Sequence, residues 1–524
     1  MVLSLTACTS DNKTVVDGQT TVTSNSAGGV AVFTPSDGIT LNQQMPLNKW
    51  AKLVPDLAKA LADAGFKKGD IDHTTSDSLD KQSRAIQDFV VDHLSNNTTD
   101  DSGIAIAPDN MTLLVAPVVE ADASTRQYGD YISQNLSTND VTDEGATSDG
   151  ESSEDDSSKD DSSNTESDST ASDEQAQAVD RLVSSLKLAK ESGMHVVLLG
   201  NSIEGYKPDA FVKFSDAQTI GKLQAEKMVS KLKLDKASKD NPKYIEVLLP
   251  YTAVDEKGNA NDSTFAQEAF RGIWQVLGSY YQKGVVESPS GTLDGKSTEN
   301  DWQAVAYDAA KEGSTAKVLD KRLAKTDGQS TLTRIDGIIT MNDYIASEVV
   351  KELDDLGYTG SAADINPQIT ISGIVGNITG KKDLSRDAVP DPIKSPENDN
   401  ANDSSSSDDD ADEDTSASDK DRDSQWPLVT GYGAYVSNIP SIVNGKQWMT
   451  GMEDRQTIAT DIAQACAKLN KDEALNSMPS IRNSEVGGVK KIPTISEPLL
   501  AVSASNLKSA LIDPGYISLA DAGL

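Results

Sequence analysis

The sequence predicts an α/β fold of two Rossmann-like lobes, each a parallel sheet with helices packed against it. Residues 334–358 indicate one strand–helix unit, in which an apolar run, short polar residues and an amphipathic helix follow each other. Apolar runs and helical patterns alternate in the same way on both sides of this unit. With 524 residues, the chain is long enough for two hydrophobic cores.

The central unit also supplies the first candidate site. Ile338 and Ile339 lie in the apolar run, which suits a strand buried on both faces. Asn342 and Asp343 follow where that strand should end, and Gly357 stops the helix. Open α/β sheets bind ligands at the carboxyl ends of their strands, so both polar residues are candidate ligand contacts. Alternatively, Asp343 is only the cap of the helix.

Apolar periodicity and turn residues predict the other strands and helices. In the first half, strands are predicted at 29–34, 71–74, 111–119 and 195–199, and helices at 47–64, 82–94 and 176–192. In the second half, strands are predicted at 211–214, 244–249, 285–286 and 447–452, and helices at 217–232, 265–282, 300–311, 436–444 and 457–468. Residues 368–375 and 428–432 compete for one further strand, and the latter is favoured. The tail, 492–524, is expected to be mostly irregular.

The net charge of −36 is concentrated in two segments. Residues 138–174 hold 14 acidic residues and one lysine, and residues 396–424 hold 12 acidic residues against one lysine and one arginine. Because they contain almost no apolar residues, disordered insertions are predicted at 138–175 and 384–425. Both are expected to leave the carboxyl edge of a sheet, beside a ligand cleft. The acidity and the lack of a basic stripe argue against nucleic-acid binding.

The first residues suggest attachment to a membrane. Leu5-Thr6-Ala7-Cys8 resembles the lipobox of bacterial lipoproteins, in which the cysteine is lipidated. The preceding apolar run is short and lacks a basic start, so a chance match is the alternative. Residues 1–27 are interpreted as a signal remnant and a flexible tether. The other cysteine, Cys466, is expected to be buried in a helix.

Motifs for catalysis and metal binding are missing from the sequence. His73, His93 and His195 are isolated, and none has the spacing of a metal pair. No phosphate-binding loop, dinucleotide fingerprint or nucleophile elbow follows a predicted strand. We therefore expect no catalytic residue, no metal and no cofactor, and a protein that is not an enzyme.

Four stretches resemble the type I solute-binding proteins of bacterial ABC sugar importers, closest to the xylose- and ribose-binding members. The resemblance covers the chain from about Gly28 onward, apart from the two insertions. The stretches are VKFSDAQTIGKLQAEKMVSKL (212–232), STFAQEAFRGIWQVL (263–277), RIDGIITMNDYIAS (334–347) and TGYGAYVSNIPSIVNGKQWMTGMEDRQTIATDIAQ (430–464). It implies two lobes joined by three crossings that close on a ligand like a hinge.

In the first lobe, the resemblance places Lys49 and Trp50 where xylose-type members have Arg-Trp. The family's sugar-binding Asp-Arg falls on Gly200 and Asn201. Trp50 offers a face for a sugar ring, although core packing is the alternative role for this side chain.

In the second lobe, the family's Asn-Asn pair falls on Thr264 and Phe265, whereas Asn342 matches a sugar-binding asparagine. The aspartate of the family's Gly-x-Asp motif falls on Gly433, and its Lys or Gln after the return strand falls on Glu453. The loss of the Asp and the Arg makes a plain pentose doubtful as the ligand.

The resemblance thus implies an extracellular, lipid-anchored monomer that delivers a small polar solute, such as a sugar, to an ABC permease. The first lobe is expected at 28–206 and 452–490, and the second at 207–451 and 491–524. The alternative is a cell-surface interaction or sensory protein that kept the fold but not sugar binding. The candidate ligand-binding residues are Lys49, Trp50, Asn201, Thr264, Phe265, Asn342, Asp343, Tyr432 and Glu453.

Overall fold

The architecture comes from a computed structural model. It describes residues 15–16, 19–20, 27–36, 46–96, 106–119, 125–138, 166–254, 261–324, 332–362 and 426–524. The acidic segment 384–425, the candidate strand 368–375 and Cys8 lie outside the described residues. A two-stranded ladder of β1 (Val15–Val16) and β2 (Gln19–Thr20) precedes the main fold.

The first lobe is built on a seven-stranded sheet. From one edge to the other, its strands are β17 (Ile481–Val486), β18 (Val489–Ser496), β9 (Ala210–Lys213), β7 (His195–Leu199), β5 (Met111–Val115), β3 (Gly29–Pro35) and β4 (Ile71–Ser76). All neighbours pair in parallel except β17 with β18. Helices α1 (Trp50–Asp63) and α10 (Arg455–Leu469) pack together, as do α2 (Leu79–Asn96) and α3 (Glu166–Glu191).

The second lobe repeats this plan with six strands. Their order is β12 (Val286–Glu287), β10 (Lys243–Val247), β14 (Gly337–Ile339), β15 (Leu428–Tyr432), β16 (Met449–Met452) and β19 (Leu500–Ser503). Only β19 runs antiparallel to its neighbour. The helices are α4 (Ala217–Leu232), α5 (Thr264–Gln282), α6 (Trp302–Val305), α7 (Ser314–Arg322), α8 (Asp343–Leu356) and α9 (Ile439–Val443). The predicted α/β class with two parallel-sheet lobes is therefore confirmed, and β15 is the core strand at 428–432.

Short two-stranded ladders complete the described structure. They join β6 (Asn135–Leu136) to β8 (Ser202–Ile203) and β11 (Leu249–Pro250) to β13 (Ala306–Tyr307). The ladder of β11 and β13 corrects the helix predicted at 300–311. Only α6 is helical there, because the chain turns extended after Val305 to pair with β11.

The chain crosses between the lobes three times. It leaves the first sheet after β9 and enters α4, returns after β16 into α10, and crosses again between β18 and β19. The first change of lobe therefore lies after Lys213, whereas the sequence placed it at 206. The last lies after Ser496 instead of 490. Both shifts arise because β9 and β18 pair with each other inside the first sheet.

The region from 481 onward is more regular than predicted. Strands β17 and β18 form a hairpin around Gly487 and Gly488, whose φ angles of 55° and 77° suit a tight primed turn. Strand β19 then extends the second sheet. The Gly-Gly pair between alternating apolar residues was the overlooked signal.

Two expectations about the acidic segments also change. Helix α3 begins at Glu166, ten residues before its predicted start, so the end of the first segment is helical. The described chain stops at 362, after α8, and resumes at 426, before β15. The second acidic segment therefore joins a helix end to a strand start. The described residues on either side of it, Ala362 and Trp426, lie beyond the amino ends of the strands, whereas the sequence placed both segments at the carboxyl edge.

Candidate functional site

Asn342 lies at the centre of the contact between the lobes. It is fully buried at the end of β14 and caps α8, because its Oδ1 accepts the N–H of Ile345 at 2.9 Å. Its Nδ2 donates to Oε1 of Gln127 from the first lobe at 3.0 Å. The preceding Met341 has a φ of +67°, a conformation that is uncommon for residues other than glycine and is often found at functional sites.

The partner of Asn342 belongs to a first-lobe segment, residues 125–132, that fills the cleft. Tyr128 is 1% exposed and packs in the hydrophobic cluster of the second lobe. Its ring centroid lies 4.7 Å from that of Phe265 and 6.2 Å from that of Tyr432. Tyr435 donates its hydroxyl to the carbonyl of Gln127 at 2.8 Å. The aromatic faces that could hold a ligand ring therefore hold a side chain of the same protein.

Lys49 and Trp50 fix the other end of this segment within the first lobe. Nζ of Lys49 pairs with Asp130 at 2.6 Å, and the other carboxylate oxygen accepts the N–H of Trp50 at 3.1 Å. The Trp50 ring packs edge-on against Tyr131 and Phe214, with centroids 5.1 and 5.6 Å away. Trp50 is thus part of the first-lobe core, which was the alternative role considered for it.

Tyr432 and Glu453 lie at the hinge. The hydroxyls of Tyr432 and Ser215 are hydrogen-bonded, and the Glu453 carboxylate accepts the N–H of Ser215 at 2.5 Å. The Glu453 N–H donates to Oδ1 of Asn48 at 3.4 Å, while Nδ2 of Asn48 finds no hydrogen-bond partner among the described residues. Because Ser215 and Glu453 belong to two different crossings, this cluster ties the hinge strands together.

Asp343 points into the second lobe, away from the first. Its carboxylate accepts hydrogen bonds from the N–H of Tyr435 at 2.9 Å, Oγ1 of Thr450 at 2.8 Å and Nε2 of Gln447 at 2.7 Å. Burial raises the pKa of Asp343 to about 6 despite these donors. Every one of these partners lies in the second lobe, so we assign Asp343 a structural role.

Asn201 and Thr264 lie apart from the central contact. Asn201 is buried and bridges two first-lobe loops, since it accepts the N–H of Gln134 and donates to the carbonyl of Pro117, both at 2.9 Å. Thr264 is exposed, and its hydroxyl donates to Asp262 at the start of α5. The structure therefore gathers Phe265, Asn342 and Tyr432 around Gln127 and Tyr128, and links Glu453 to Tyr432 through Ser215.

Within the described residues, Gln127 and Tyr128 fill the contact between the lobes. Two cavities of about 250 and 180 Å³ lie on the outer surface of the second lobe. Sequence reasoning treated the residues after β5 as an ordinary loop and so missed Gln127, Tyr128 and Tyr131. Two tyrosines three positions apart in an otherwise polar loop were the available signal, because only 5% of the chain is aromatic.

The buried carboxyl of Glu453 should make stability depend on pH. Burial raises its pKa from 4.5 to about 7, so the folded state favours the protonated form. Its contribution to the free energy of unfolding is then complete below about pH 4.5 and lost as the pH rises through 7. It amounts to at most about 3 kcal/mol. Urea unfolding of wild type and Glu453→Gln from pH 4 to 8 should show wild type losing stability relative to the variant.

The matched control for this measurement is Glu485→Gln, because Glu485 is exposed. Its difference from wild type should stay constant across the same range. A constant difference for Glu453→Gln as well would show that folding leaves the pKa of Glu453 unchanged.

The described residues show neither a metal-binding cluster nor a membrane-spanning helix. They contain no group of three or more His, Cys, Asp or Glu residues that could hold a metal ion. Within the same residues, no helix is both long and apolar enough to cross a bilayer.

Two mainly parallel lobes joined by three crossings are the architecture that the resemblance in the sequence motifs implies. No protein-family model matches the chain, and no curated protein does. Among solved structures, an ABC transporter solute-binding protein from Clostridium phytofermentans with bound β-D-glucose is 17% identical. The match covers 94% of this chain and 99% of that one, with a TM-score of 0.45.

Two further solved structures are of the same kind. A carbohydrate transporter solute-binding protein from Chloroflexus aurantiacus, in complex with D-glucose, is 18% identical over 95% of this chain and 98% of that one, with a TM-score of 0.42. An arabinose-binding protein from Geobacillus stearothermophilus is 10% identical over 92% and 99%, also with a TM-score of 0.42.

Proposed function

We propose that this protein is a non-enzymatic receptor that captures a small polar solute, a carbohydrate in the first instance, between two hinged lobes. The observation that carries the proposal is the convergence of aromatic and amide side chains on the hinged cleft. Phe265 and Tyr432 provide ring faces, and Asn342 provides an amide at the end of β14. Sugar sites combine such faces with fixed donors and acceptors for hydroxyl groups.

In this proposal, Gln127 and Tyr128 occupy the place of the solute while the site is empty. The solute enters when Gln127 and Tyr128 withdraw from the second lobe and the lobes part, and the lobes then close on it. The solute binds only the state in which Gln127 and Tyr128 have withdrawn. The rarer that state is, the higher the apparent dissociation constant of the solute.

The remaining parts of the proposal concern location and delivery. Cys8 would carry the lipid anchor, residues 1–27 would form the tether, and the closed lobes would deliver the solute to an ABC permease at the outer face of the membrane. The lipobox-like Leu5-Thr6-Ala7-Cys8 supports the anchor. A monomer suffices for this role.

A second candidate function follows from the filled cleft itself. If Tyr128 never leaves the second lobe, the protein is a surface interaction or sensory protein that kept the fold without the solute. The complete burial of Tyr128 and the direct bond between Gln127 and Asn342 favour this reading.

A thermal-shift screen of wild type against mono- and oligosaccharides tests the first candidate. A ligand that binds only the folded state stabilises the protein by about 2.7 kcal/mol when its concentration is one hundred times its dissociation constant. The melting temperature of the protein must then rise. For any sugar found, Asn342→Ala should weaken binding by at least about 1 kcal/mol, since a buried hydrogen bond is lost.

Thr264→Ala is the control for the Asn342 variant, because Thr264 is exposed and its hydroxyl donates to Asp262. Its affinity for the sugar should equal that of wild type. The absence of any shift in wild type, and also in a variant with glycine in place of Tyr128, would establish the second candidate instead.

A further inference from the structure

The second lobe carries a basic surface on an otherwise acidic protein. Residues 222–243 contain seven lysines and three acidic residues, whereas the whole chain has a net charge of −36. Both outer cavities lie in this stretch and share Lys233. We call this region the lysine surface, and its cavity-lining residues include Lys227, Lys231, Lys233, Lys236, Lys243 and Trp448.

The lysine surface brings like charges together at a partly buried place. Burial and the charge of Lys233 lower the pKa of Lys231. Trp448 is 7% exposed at the floor of the larger cavity, and its indole Nε1 finds no hydrogen-bond partner among the described residues. A buried donor of this kind is normally satisfied in a folded protein. Together, the lysines and the indole N–H suit an anionic, hydrogen-bond-accepting group.

The described ends of the second acidic segment lie beside this surface. The N–H of Ala362, the last residue before the gap, donates to the carbonyl of Gly445 at 2.9 Å. Trp426, the first residue after the gap that the structure describes, donates Nε1 to the carbonyl of Lys446 at 2.7 Å. Lys446 lies two residues before Trp448. Both ends therefore lie at the pole of the second lobe that carries the lysine surface, away from the cleft.

We propose that the acidic segment 396–424 of the same chain docks on the lysine surface. It carries 12 acidic residues against two basic ones, so its charge is complementary. Its carboxyl end lies two residues before Trp426, which is bonded to Lys446, so its effective concentration at the surface is high and a free partner of lower concentration does not compete easily. The first acidic segment is less suited, because it lies between β6 and α3 in the other lobe.

Carbodiimide cross-linking of the full chain, followed by peptide mapping of the monomer, tests this contact. The reagent joins touching amines and carboxylates, so we expect links from Lys227, Lys231 or Lys233 to residues 396–424. They should disappear at about 1 M salt, where the Debye length falls to about 3 Å. Acetylation of the same lysines should rise several-fold when the acidic residues of 396–424 are changed to Asn and Gln.

The matched control changes the acidic residues of 139–165 to Asn and Gln in the same way. It should leave the acetylation of Lys227, Lys231 and Lys233 at the wild-type rate. The proposal would be overturned if the cross-links from these lysines led mainly to residues 139–165. It would also be overturned if neither variant changed the acetylation rate of the lysines. Protection of the lysines by phosphatidylglycerol vesicles, with no effect of the 396–424 changes, would also overturn it and identify a membrane as the occupant.

Discussion

Replacing Tyr128 by alanine is expected to lower the free energy of unfolding by about 3 kcal/mol, near the lower end of the range for a buried aromatic side chain. The ring packs on Phe265 and Tyr432 in the second-lobe cluster, so its loss leaves a cavity between the lobes. The lower end applies because the hydroxyl of Tyr128 makes no hydrogen bond of ordinary geometry among the described residues. Urea unfolding of the variant measures this loss.

The same variant should bind solute more tightly than wild type, since the competing side chain is gone. Isothermal titration with a sugar from the thermal-shift screen measures the gain, and small-angle scattering reports any opening of the lobes. Tyr131→Ala is the matched control. Tyr131 lies three residues away but packs within the first lobe against Trp50 and Phe214, so its loss should cost similar stability without changing affinity. Equal affinities for wild type and both variants would mean that Tyr128 does not compete with the ligand.

Replacing Glu246 by alanine is expected to lower the free energy of unfolding by about 3–5 kcal/mol, because Arg322 is left buried without its counter-charge. Arg322 lies 3.3 Å from Glu246, and their side chains are 8% and 0% exposed. Burial raises the pKa of Glu246 and lowers that of Arg322, so each charge depends on the other. Chemical denaturation of the variant provides the measurement.

A double variant separates the buried charge from the lost packing. Glu246→Leu combined with Arg322→Met should recover most of the stability, since apolar residues of similar volume can replace a buried ion pair. Glu473→Ala, which breaks the exposed pair with Lys468, should cost far less, because water and salt screen exposed charges. If Glu246→Ala lowered the free energy of unfolding no more than this exposed control, the Arg322 guanidinium would be hydrated in the variant.

The elements that the sequence predicted well are largely buried ones. Helix α4 and strands β7 and β15 have the predicted bounds, because buried helices and central parallel strands impose their period on the sequence. The predictions failed where long-range pairing decides the conformation. Residues 306–307 became a strand by pairing with β11, and β18 and β19 formed at the lobe junction.

The candidate site was predicted in part for the same reason. The end of β14 led to Asn342, since the carboxyl edge of a parallel sheet follows from local pattern. The filling of the cleft by Tyr128 could not be derived in this way, because it depends on how a first-lobe loop meets the second lobe. The direction of Asp343 was also beyond the sequence, since its three donors come from distant positions in the chain.

The three crossings have a consequence for how the molecule is made. Strands β17 and β18 and helix α10 of the first lobe come after all five parallel strands of the second. During synthesis, the first lobe therefore stays incomplete until the parallel strands of the second lobe have been made. A ribosome-stalled chain ending before 455 should expose the apolar face of α1 that α10 normally covers. Chaperones that recognise such apolar faces would then bind the first lobe during synthesis.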